Sequence, residues 1–430
     1  MSVRQALPMQ EQQFPFGLNV TSEIGHLQAV MTHRPGREVE RMIPAMMNSL
    51  LFEDILFGEA ARQEHEHFRK LLSFAADKVL EIQDVLARTL EDEQVRQWFI
   101  RDVAYVEGLK PEIVERLSGL SATKLADAVM GGLEYVDGSY GWSLTPLPNL
   151  LFVRDPLVVA QQGAIIGSMA RPARRREPLI MEYAYGFHPE LRLRREEKFL
   201  FDEFAKPLYQ HRKVLPGLEG GDIAVVSDKV LVIGRSERTN EVAVDLLANS
   251  LMNTSTIETI LLVLLPEERA LMHLDTVFSL TSENECLVYP PLFVEDSPHL
   301  CTVVRKDIRK GNVRSSLKPS LLEALKDEGL DLKPILCGGR DPIDQQREQW
   351  TDGANAVALS PGNIILYERN LRTIDELVKA GYRVVTAAES LAGGRELFQP
   401  EKKTVFLLEG HELSRARGGP HCMTMPLARK

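Results

Sequence analysis

The sequence contains few cysteines and none of the common nucleotide-binding or metal-binding motifs. Only four of its 430 residues are cysteine, and none of them forms a Cys-x-x-Cys pair. This pattern argues against a zinc site and against a dense disulfide framework. The chain also lacks a GxxxxGK(S/T) phosphate loop, a GxGxxG run after a strand and a GxSxG nucleophile elbow. An isolated cysteine in such a chain is either a buried apolar residue or a reactive thiol.

Long apolar runs and an excess of positive charge are missing as well. The longest purely apolar stretch, Ile260 to Leu265, is far shorter than the ~20 residues that a membrane-spanning helix needs. The N-terminal segment has no apolar core typical of a secretory signal. With 61 acidic and 51 basic residues the formal net charge is -10, which disfavours binding to phosphate backbones. We therefore expect a cytoplasmic protein that binds neither a membrane nor nucleic acid.

The share of apolar residues, 44%, is typical of a globular protein with a large core, and the length allows two to three domains. Between Val85 and Leu133 the pattern is that of several short helices without a clear strand. We therefore predict an all-helical insertion at residues 85–135, within an α/β domain formed by residues 1–84 and 136–430.

Four β-hairpins are predicted along the α/β part of the chain. Turn-forming residues separate two runs of β-forming residues within each of the segments 157–166, 223–233, 276–289 and 356–367. The second and the fourth hairpins are followed by a helical pattern and then by another strand. A repeated strand–strand–helix–strand unit favours radial or solenoid repetition over one doubly wound sheet.

An aspartate precedes each predicted hairpin by a few residues. The four positions are Asp155, Asp222, Asp275 and Asp352. If the units repeat around a centre, their equivalent ends meet there, so we predict that these aspartates lie close together around one cleft. A chain rich in acids also produces such spacing by chance, and this alternative stays open at this point.

The C-terminal segment points to a reactive cysteine. Arg415 and Arg417 stand shortly before a Gly-Gly-Pro turn that leads to His421 and Cys422. Glycines allow a ligand to approach the backbone, and nearby cations favour the thiolate. A buried structural cysteine in a tight turn explains the same residues equally well.

Three further segments combine charged residues in patterns that are ambiguous when taken singly. Glu219 to Asp222 places two glycines between two acids, which is usually only a turn. His273 and Asp275 fall on the same face of a predicted strand, because side chains alternate along a strand. The segment Asn149 to Asp155 ends an apolar run on a charged pair.

Together these motifs resemble the arginine deiminases of the guanidino-group-modifying superfamily. The resemblance covers nearly the whole chain, and its motifs occur in family order. They are Ser22-Glu23-Ile24-Gly25, His33-Arg34-Pro35-Gly36, Leu50-Leu51-Phe52-Glu53-Asp54, Pro148-Asn149-Leu150-Leu151-Phe152-Val153-Arg154-Asp155, Pro172-Ala173-Arg174-Arg175-Arg176-Glu177, Leu218-Glu219-Gly220-Gly221-Asp222, Glu237-Arg238-Thr239, Met272-His273-Leu274-Asp275-Thr276-Val277-Phe278, Arg347-Glu348-Gln349-Trp350 with Asp352-Gly353, and Arg417-Gly418-Gly419-Pro420-His421-Cys422-Met423-Thr424.

The resemblance implies a fold and a set of site residues. The fold would be a five-bladed, pseudo-symmetric α/β propeller of ββαβ units with an all-helical insertion. Cys422 would be the nucleophile, His273 the general acid and base, and Glu219 the carboxylate beside that histidine. Eight residues would bind the substrate. Asp155 and Asp275 would hold its guanidinium, and Phe152 and Leu51 would line the pocket. Its carboxylate would be held by Asn149, Arg174, Arg238 and Arg417.

The resemblance also implies a reaction. It is the hydrolytic deimination of free L-arginine to L-citrulline and ammonia through a covalent cysteine thiouronium, without metal or organic cofactor. A set of arginines that binds an α-carboxylate favours free arginine over agmatine. The expected partner is the small-molecule substrate alone, in a homo-oligomer. The alternatives are a related guanidine-modifying enzyme (an agmatine deiminase or an amidinotransferase) and a non-catalytic arginine-binding protein.

Two features depart from the family pattern. Arg171 stands where an aromatic residue is expected beside Pro172-Ala173-Arg174, so the local pocket surface is expected to differ. The segment Ala387 to Val405 is longer than a bare link between a strand and a turn, and we interpret it as a surface excursion or a gating loop.

Overall fold

The structure is a computed structural model that describes residues 17–135, 141–191, 199–201, 214–294, 297, 299–309 and 313–430. Strands and helices are mixed along the whole described chain, which is therefore a mixed α/β fold. The strands are β1 (Leu27–Thr32), β2 (Lys78–Glu81), β3 (Leu133–Glu134), β4 (Trp142–Leu144), β5 (Leu157–Ala160), β6 (Gly163–Ile166), β7 (Phe199–Phe201), β8 (Ile223–Val225), β9 (Val230–Arg235), β10 (Thr259–Leu264), β11 (Phe278–Ser282), β12 (Glu285–Val288), β13 (Val303–Asp307), β14 (Arg314–Lys318), β15 (Lys333–Leu336), β16 (Val357–Ser360), β17 (Asn363–Tyr367), β18 (Arg383–Val385), β19 (Thr404–Leu408) and β20 (Met425–Arg429).

Helices connect most of these strands. They are α1 (Arg37–Glu40), α2 (Pro44–Leu50), α3 (Gly58–Leu72), α4 (Ile82–Thr89), α5 (Glu93–Glu107), α6 (Pro111–Ser118), α7 (Ala122–Gly131), α8 (Arg176–Phe187), α9 (Glu241–Thr254), α10 (Pro290–Phe293), α11 (Leu321–Asp327), α12 (Pro342–Trp350), α13 (Leu371–Lys379) and α14 (Ala387–Gly393). None of the helices in the described ranges is long and apolar enough to cross a membrane.

Five of the sheets formed by the described residues repeat one pairing pattern. In each, two antiparallel strands are joined by a third strand that runs parallel to the second, as in β5–β6–β7, β8–β9–β10 and β11–β12–β15. The same pattern occurs in β16–β17–β19, and in β20–β1–β2, which brings the two ends of the described chain together. A short ribbon of β3 and β4 forms a sixth sheet. Because a parallel pair needs a crossover, a helix lies between the second and third strands of each unit.

The structure confirms the four predicted hairpins, which are β5–β6, β8–β9, β11–β12 and β16–β17. Two antiparallel pairs of consecutive strands among the described residues were not predicted, the β3–β4 ribbon and the β13–β14 pair. Strands β13 and β14 extend the β8–β9–β10 sheet along the edge of β10. Most of β14 is exposed, so its sequence has no apolar alternation that could identify it.

The segment Ala387 to Val405 is a surface excursion, as the sequence predicted, although it is not a loop: most of its residues before β19 are exposed. It begins with α14, continues through a 3₁₀ turn at Gly394–Leu397 and enters β19 at Thr404. Strand β19 lies between β17 and β18 and is buried along its whole length. The predicted strand 383–385 is therefore the edge of that sheet, and the strand next to β17 comes later in the chain.

The helical stretch in the N-terminal third contains α4, α5, α6 and α7 in succession. It begins at Ile82, and its last helix ends at Gly131. Leu133–Glu134 form β3, so the last residues of the predicted 85–135 segment are not helical. Ser121 caps α7 through its side chain, and Pro111 occupies the first turn of α6, as their sequence positions predict.

The core lies within and between the sheets. Strand β10 lies between β9 and β13, and its run Ile260 to Val263 is buried throughout. A strand flanked and covered in this way carries apolar residues on both faces, which explains why the sequence shows a continuous apolar run here instead of alternation.

We expect Leu231→Ala, in the central strand β9, to lower the free energy of unfolding by about 2–5 kcal/mol, because Leu231 is fully buried and the change leaves a cavity. The matched control is Leu317→Ala in the edge strand β14, where the side chain is 73% exposed and the expected change is within about 0.5 kcal/mol. Guanidinium denaturation measures both. Equal losses would show that β9 is not a core strand.

Candidate active site

Cys422 lies in a buried turn just before β20. Its side chain is only 5% exposed, and its Sγ lies 3.2 Å from Oδ2 of Asp275 and 3.1 Å from Nδ2 of Asn355. Burial raises the pKa of the Cys422 thiol well above its ordinary value, and the neighbouring carboxylates of Asp275 and Asp155 raise it further. In the absence of substrate the sulfur is therefore a thiol, and its S–H donates to Asp275.

His273 and Glu219 form a buried pair beside this thiol. Nε2 of His273 lies 2.9 Å from Oε2 of Glu219, and its Nδ1 lies 3.7 Å from Oδ1 of Asp155. Burial alone lowers the pKa of His273, but the charges of Asp155 and Glu219 outweigh it and raise the pKa to about 10. The imidazole is therefore charged at neutral pH. It can donate a proton to a leaving group, as a general acid must.

The acid–glycine–glycine–acid turn brings these groups together. A Cβ at Gly221 would lie 2.7 Å from Nδ1 of His273 and 2.9 Å from Oδ1 of Asp155, so only glycine lets the chain pass so close. Oδ1 of Asp222 accepts a 2.9 Å hydrogen bond from the backbone N–H of Leu274, which fixes the segment that carries His273. The sequence showed a turn here, and the structure shows why the turn needs glycine.

The four aspartates predicted to converge do converge. Asp155, Asp275 and Asp352 are electrostatic neighbours of Cys422, and Asp222 is one of His273. All four are almost fully buried. The predicted strand for His273 and Asp275 is wrong, because His273 precedes a 3₁₀ turn at Leu274–Thr276 and β11 begins only after it.

Cys422 occupies the corresponding position of the fifth sheet. The four aspartates stand shortly before the first strands of four units, namely β5, β8, β11 and β16. In the fifth unit the first strand is β20, which begins at Met425, and Cys422 stands shortly before it. The repeated unit thus places four carboxylates and one thiol close together.

Two carboxylate oxygens beside the thiol are buried without a hydrogen-bond partner among the described residues. They are Oδ1 of Asp155 and Oδ1 of Asp275; Oδ2 of Asp352, an acid of the same cluster, is also buried without a partner among these residues. The other oxygen of Asp155 accepts from Nη1 of Arg174 at 2.7 Å, and that of Asp275 accepts from His421 at 3.0 Å. Buried acceptors are normally paired, so these two oxygens identify a place where a donor with positive charge would be stabilised.

A pocket opens beside Cys422 and contains nine of the eleven predicted site residues. Glu219 and Asp275 do not line it; they lie behind His273 and Cys422 and contact them directly. Sequence reasoning did not assign Glu53, Arg269, Met272, Thr276 and Ala416, which also line the pocket. The full lining is Leu51, Glu53, Asn149, Phe152, Asp155, Arg174, Arg238, Arg269, Met272, His273, Thr276, Ala416, Arg417 and Cys422.

Arg174 is already bound to acceptors of the protein itself. Its guanidinium donates to both carboxylate oxygens of Glu177, to Asp155 and to the main-chain oxygen of Asn149. It also lies 3.6 Å from Oε2 of Glu219. Arg174 therefore neutralises the buried acids of the site, a contact that the sequence assignment to the substrate carboxylate did not include.

Arg238 and Arg417 keep donors without partners. Nε of each is buried and unbonded among the described residues, and Arg238 approaches Glu219 only to 3.9 Å. Arg417 has a positive φ of 66° and stacks on the Trp350 ring, with 3.6 Å from its Cζ to the ring centroid. One of its terminal nitrogens donates to the Trp350 main-chain oxygen. In this state Arg417 is held at the pocket wall by Trp350.

His421 and Glu23 are site residues that sequence reasoning quoted in motifs but did not assign. Nδ1 of His421 lies 3.0 Å from Oδ2 of Asp275, and its Nε2 lies 3.3 Å from Oε2 of Glu23. Glu23 in turn accepts from Nη1 of Arg154 at 3.2 Å. No local pattern links residues 398 positions apart, so only the fold reveals this chain of contacts.

Asp155, Glu219 and His273 could also surround a cation, because one potential ligand atom from each lies within 4.8 Å of the others. Arg174 already provides positive charge to both carboxylates, and His273 is charged as well. The donor set therefore fits a protein-neutralised cluster better than a metal site. That the reaction needs no metal stays a prediction.

Comparison with known proteins identifies the family. A family model for arginine deiminase matches residues 48–130 and 131–429. The chain belongs to the arginine deiminase family. The arginine deiminase of Bacillus thuringiensis subsp. konkukian is 33% identical over 96% of this chain and 98% of its own length. That of Listeria monocytogenes serotype 4a is 34% identical with the same coverage. The resemblance seen in the motifs is confirmed, and with it the prediction of a hydrolytic enzyme.

The fold is shared with a solved amidinotransferase. The amidinotransferase of the saxitoxin biosynthetic pathway of Microseira wollei superposes with a TM-score of 0.50. The superposition covers 96% of this chain and 97% of that one, at 16% sequence identity. At this identity the likeness concerns the fold alone.

We expect His273 to stay protonated at about pH 8, and Glu219→Gln to lower its pKa, because the variant removes a charged acceptor. Histidine ¹⁵N chemical shifts across a pH titration measure both; Glu38→Gln, beside the distant His33, is the control. The folded pKa is above the unfolded value, so the stabilisation from charged His273 is complete below pH 6.5 and lost as pH rises towards 10. A neutral His273 at pH 8 would contradict this assignment.

Proposed function

We propose that the protein hydrolyses free L-arginine to L-citrulline and ammonia through a covalent thiouronium on Cys422. One observation carries the proposal: among the described residues, a buried thiol lies beside two carboxylate oxygens that have no hydrogen-bond partner, and the pocket next to it contains an arginine whose Nε is unbonded. The relatives named above carry the name of this activity, which agrees with the site.

The guanidinium would bind between Asp155 and Asp275. A guanidinium is planar, permanently charged and matched to carboxylates through parallel N–H groups. Oδ1 of each aspartate is a buried acceptor in need of a donor, and the substrate would satisfy both. Its central carbon would then lie next to Sγ of Cys422, and its charge would offset the carboxylates that disfavour the thiolate.

The other end of the substrate would bind through the arginines. Arg238 is the strongest candidate for the α-carboxylate, because its Nε has no partner among the described residues and no acid lies closer than 3.9 Å. Asn149, Arg174 and Arg417 line the same pocket and complete the proposed carboxylate site. Phe152 and Leu51, by their position in the lining, would contact the aliphatic part of the substrate.

The reaction would proceed in two halves. In the first, the Cys422 thiol loses its proton to solvent when the guanidinium binds, and the thiolate attacks the guanidinium carbon. Charged His273 protonates the departing nitrogen, so that ammonia leaves and takes up that proton as ammonium, and a thiouronium remains. In the second, neutral His273 takes a proton from water, and the hydroxide adds to the same carbon. Collapse of this adduct expels the thiolate, forms the C=O bond of citrulline and returns the hydroxyl proton to the sulfur. Glu219 keeps the imidazole oriented and favours its charged form.

The five sheets with the same strand pairing are, we propose, five blades of a pseudo-symmetric ββαβ propeller. Convergence of the residues before β5, β8, β11, β16 and β20 supports this arrangement, since equivalent ends meet only if the units surround one axis. The helical segment 85–135 would be an insertion into a catalytic domain of residues 1–84 and 136–430. A homo-oligomer in the cytoplasm, without membrane or nucleic-acid partners and without a cofactor, stays a prediction.

Incubation with L-arginine should give citrulline and ammonia, whereas agmatine, which has no carboxylate, should react far more slowly. Mass spectrometry of citrulline and carbamoylputrescine measures this, and a transfer product with an added amine would reveal an amidinotransferase. Cys422→Ala should abolish turnover. Cys301→Ala should retain it, because that thiol is buried outside the pocket and its pKa is raised to about 12. No product from arginine would refute the proposal.

Arg238→Ala should raise the KM for arginine roughly tenfold to a hundredfold, because a charge-assisted contact to the α-carboxylate is lost. Any residual turnover of agmatine should not change. The control is Arg235→Ala, at the end of β9, where the guanidinium pairs with Glu267 at the surface. Steady-state kinetics with both substrates measures the difference. An equal effect on arginine and agmatine would place Arg238 away from the carboxylate.

A further inference from the structure

We propose that Asn355 is a further catalytic residue, whose side-chain N–H donates to Sγ of Cys422 and stabilises the thiolate that attacks the substrate. The inference rests on the proposed function, since it concerns the nucleophile of that reaction. Asn355 is fully buried, and its Nδ2 lies 3.1 Å from Sγ. No sequence motif singled it out.

The orientation of the Asn355 amide is fixed by its other contacts. Its Oδ1 accepts from the backbone N–H groups of His421, at 3.0 Å, and Cys422, at 3.2 Å. Its Nδ2 donates to the main-chain oxygen of Asp275 at 2.9 Å. A flip would place the amide nitrogen against two donors and its oxygen against an acceptor. The second hydrogen of Nδ2 is therefore left for Sγ.

The surrounding backbone is shaped to hold this amide against the nucleophile turn. A Cβ at Gly419 would lie 2.5 Å from Oδ1 of Asn355, so glycine is required there for the close approach. Asp352, with a positive φ of 61°, bends the chain, and the Asn355 N–H donates back to its main-chain oxygen at 3.0 Å. The hydroxyl of Ser279 donates to the main-chain oxygen of Ala354 at 2.7 Å and supports the same turn from behind.

The charges near Sγ explain why such a donor is needed. Three carboxylates, Asp275, Asp155 and Asp352, act on Cys422 and oppose its ionisation. His273 is bonded to Glu219 instead of Sγ. Among the described residues, Asn355 supplies the one side-chain N–H group that is hydrogen-bonded to the sulfur. A neutral donor suits this place, because a fixed cation would repel the guanidinium that must bind beside it.

The contact becomes stronger when the thiol loses its proton. With the thiol, the N–H···S bond is a weak neutral contact; with the thiolate it is charge-assisted, without any change in orientation. When the second adduct collapses and releases the thiolate, the Asn355 side-chain N–H donates to it again. This is preorganised stabilisation of a charge that develops during the reaction.

The test is alkylation of Cys422 by iodoacetamide across a pH series, followed by mass spectrometry of the peptide that contains Cys422. We expect Asn355→Ala to react about tenfold more slowly at a given pH, with the profile displaced to higher pH, because a donor to the charged form is lost. Asn355→Asp keeps an oxygen for the two backbone N–H groups, and its ionised second oxygen can only accept. It should slow alkylation as well. The control is Asn249→Ala, an exposed asparagine on α9 whose side chain donates only within that helix, and it should react like the wild type.

The kinetic constants give a second readout. In both Asn355 variants kcat should fall while the KM for arginine stays near the wild-type value, because Asn355 contacts the sulfur and, of Asp275, only the main-chain oxygen and not the carboxylate proposed to hold the substrate. A thermal melt shows which variants are folded. If Asn355→Ala is not folded, the test is made with Asn355→Asp. If a folded Asn355 variant is alkylated at the wild-type rate and with the wild-type pH profile, the inference is wrong. Absence of citrulline from the wild type would refute the proposed function but not this hydrogen bond.

Discussion

Buried carboxylates surround the sulfur of Cys422, and the other groups of the site compensate their negative charge. Like charges in a buried space are costly unless cations or donors accompany them. Several acids of the cluster have a partner of their own: Glu219 has His273, and Asp275 has His421. Among the described residues, Oδ1 of Asp155, Oδ1 of Asp275 and Oδ2 of Asp352 are buried without a hydrogen-bond partner, and a guanidinium has the charge and shape to pair with the first two.

The fold delivers this cluster through repetition. Five sheets begin with the same antiparallel pair, and the residues just before these pairs meet at one place. In four units that residue is an aspartate, and in the fifth it is Cys422. The proposed nucleophile and the aspartates proposed to hold its substrate thus occupy equivalent positions of one repeated unit. The close packing of these turns explains the glycines around them, of which Gly221 and Gly419 are the clearest cases.

The two ends of the pocket are in different states when no substrate is present. The end proposed to bind the substrate guanidinium is preorganised, because Asp155 is held by Arg174, and Asp275 by His421. The end proposed to bind the substrate carboxylate is less preorganised. Arg238 lacks a close partner, and Arg417 stacks on Trp350. The proposed reaction therefore takes place among side chains that are already fixed, whereas the rest of the substrate is bound by side chains that still have unbonded N–H groups.

The sequence by itself determined the elements whose signals are local. Turn residues between runs of β-forming residues located the four hairpins, and the ordered motifs identified the family and nine of the fourteen residues that line the pocket. It did not locate β14, which is exposed and lacks an apolar pattern, or the insertion of β19 between two strands. It also placed His273 in a strand instead of before a 3₁₀ turn. Only the tertiary structure decided that Arg174 serves the buried acids and that Asn355 and Glu23 belong to the site. The reason is physical. Hydrogen bonds between residues distant in sequence depend on how the sheets pack together, whereas hydrophobic periodicity indicates only local secondary structure.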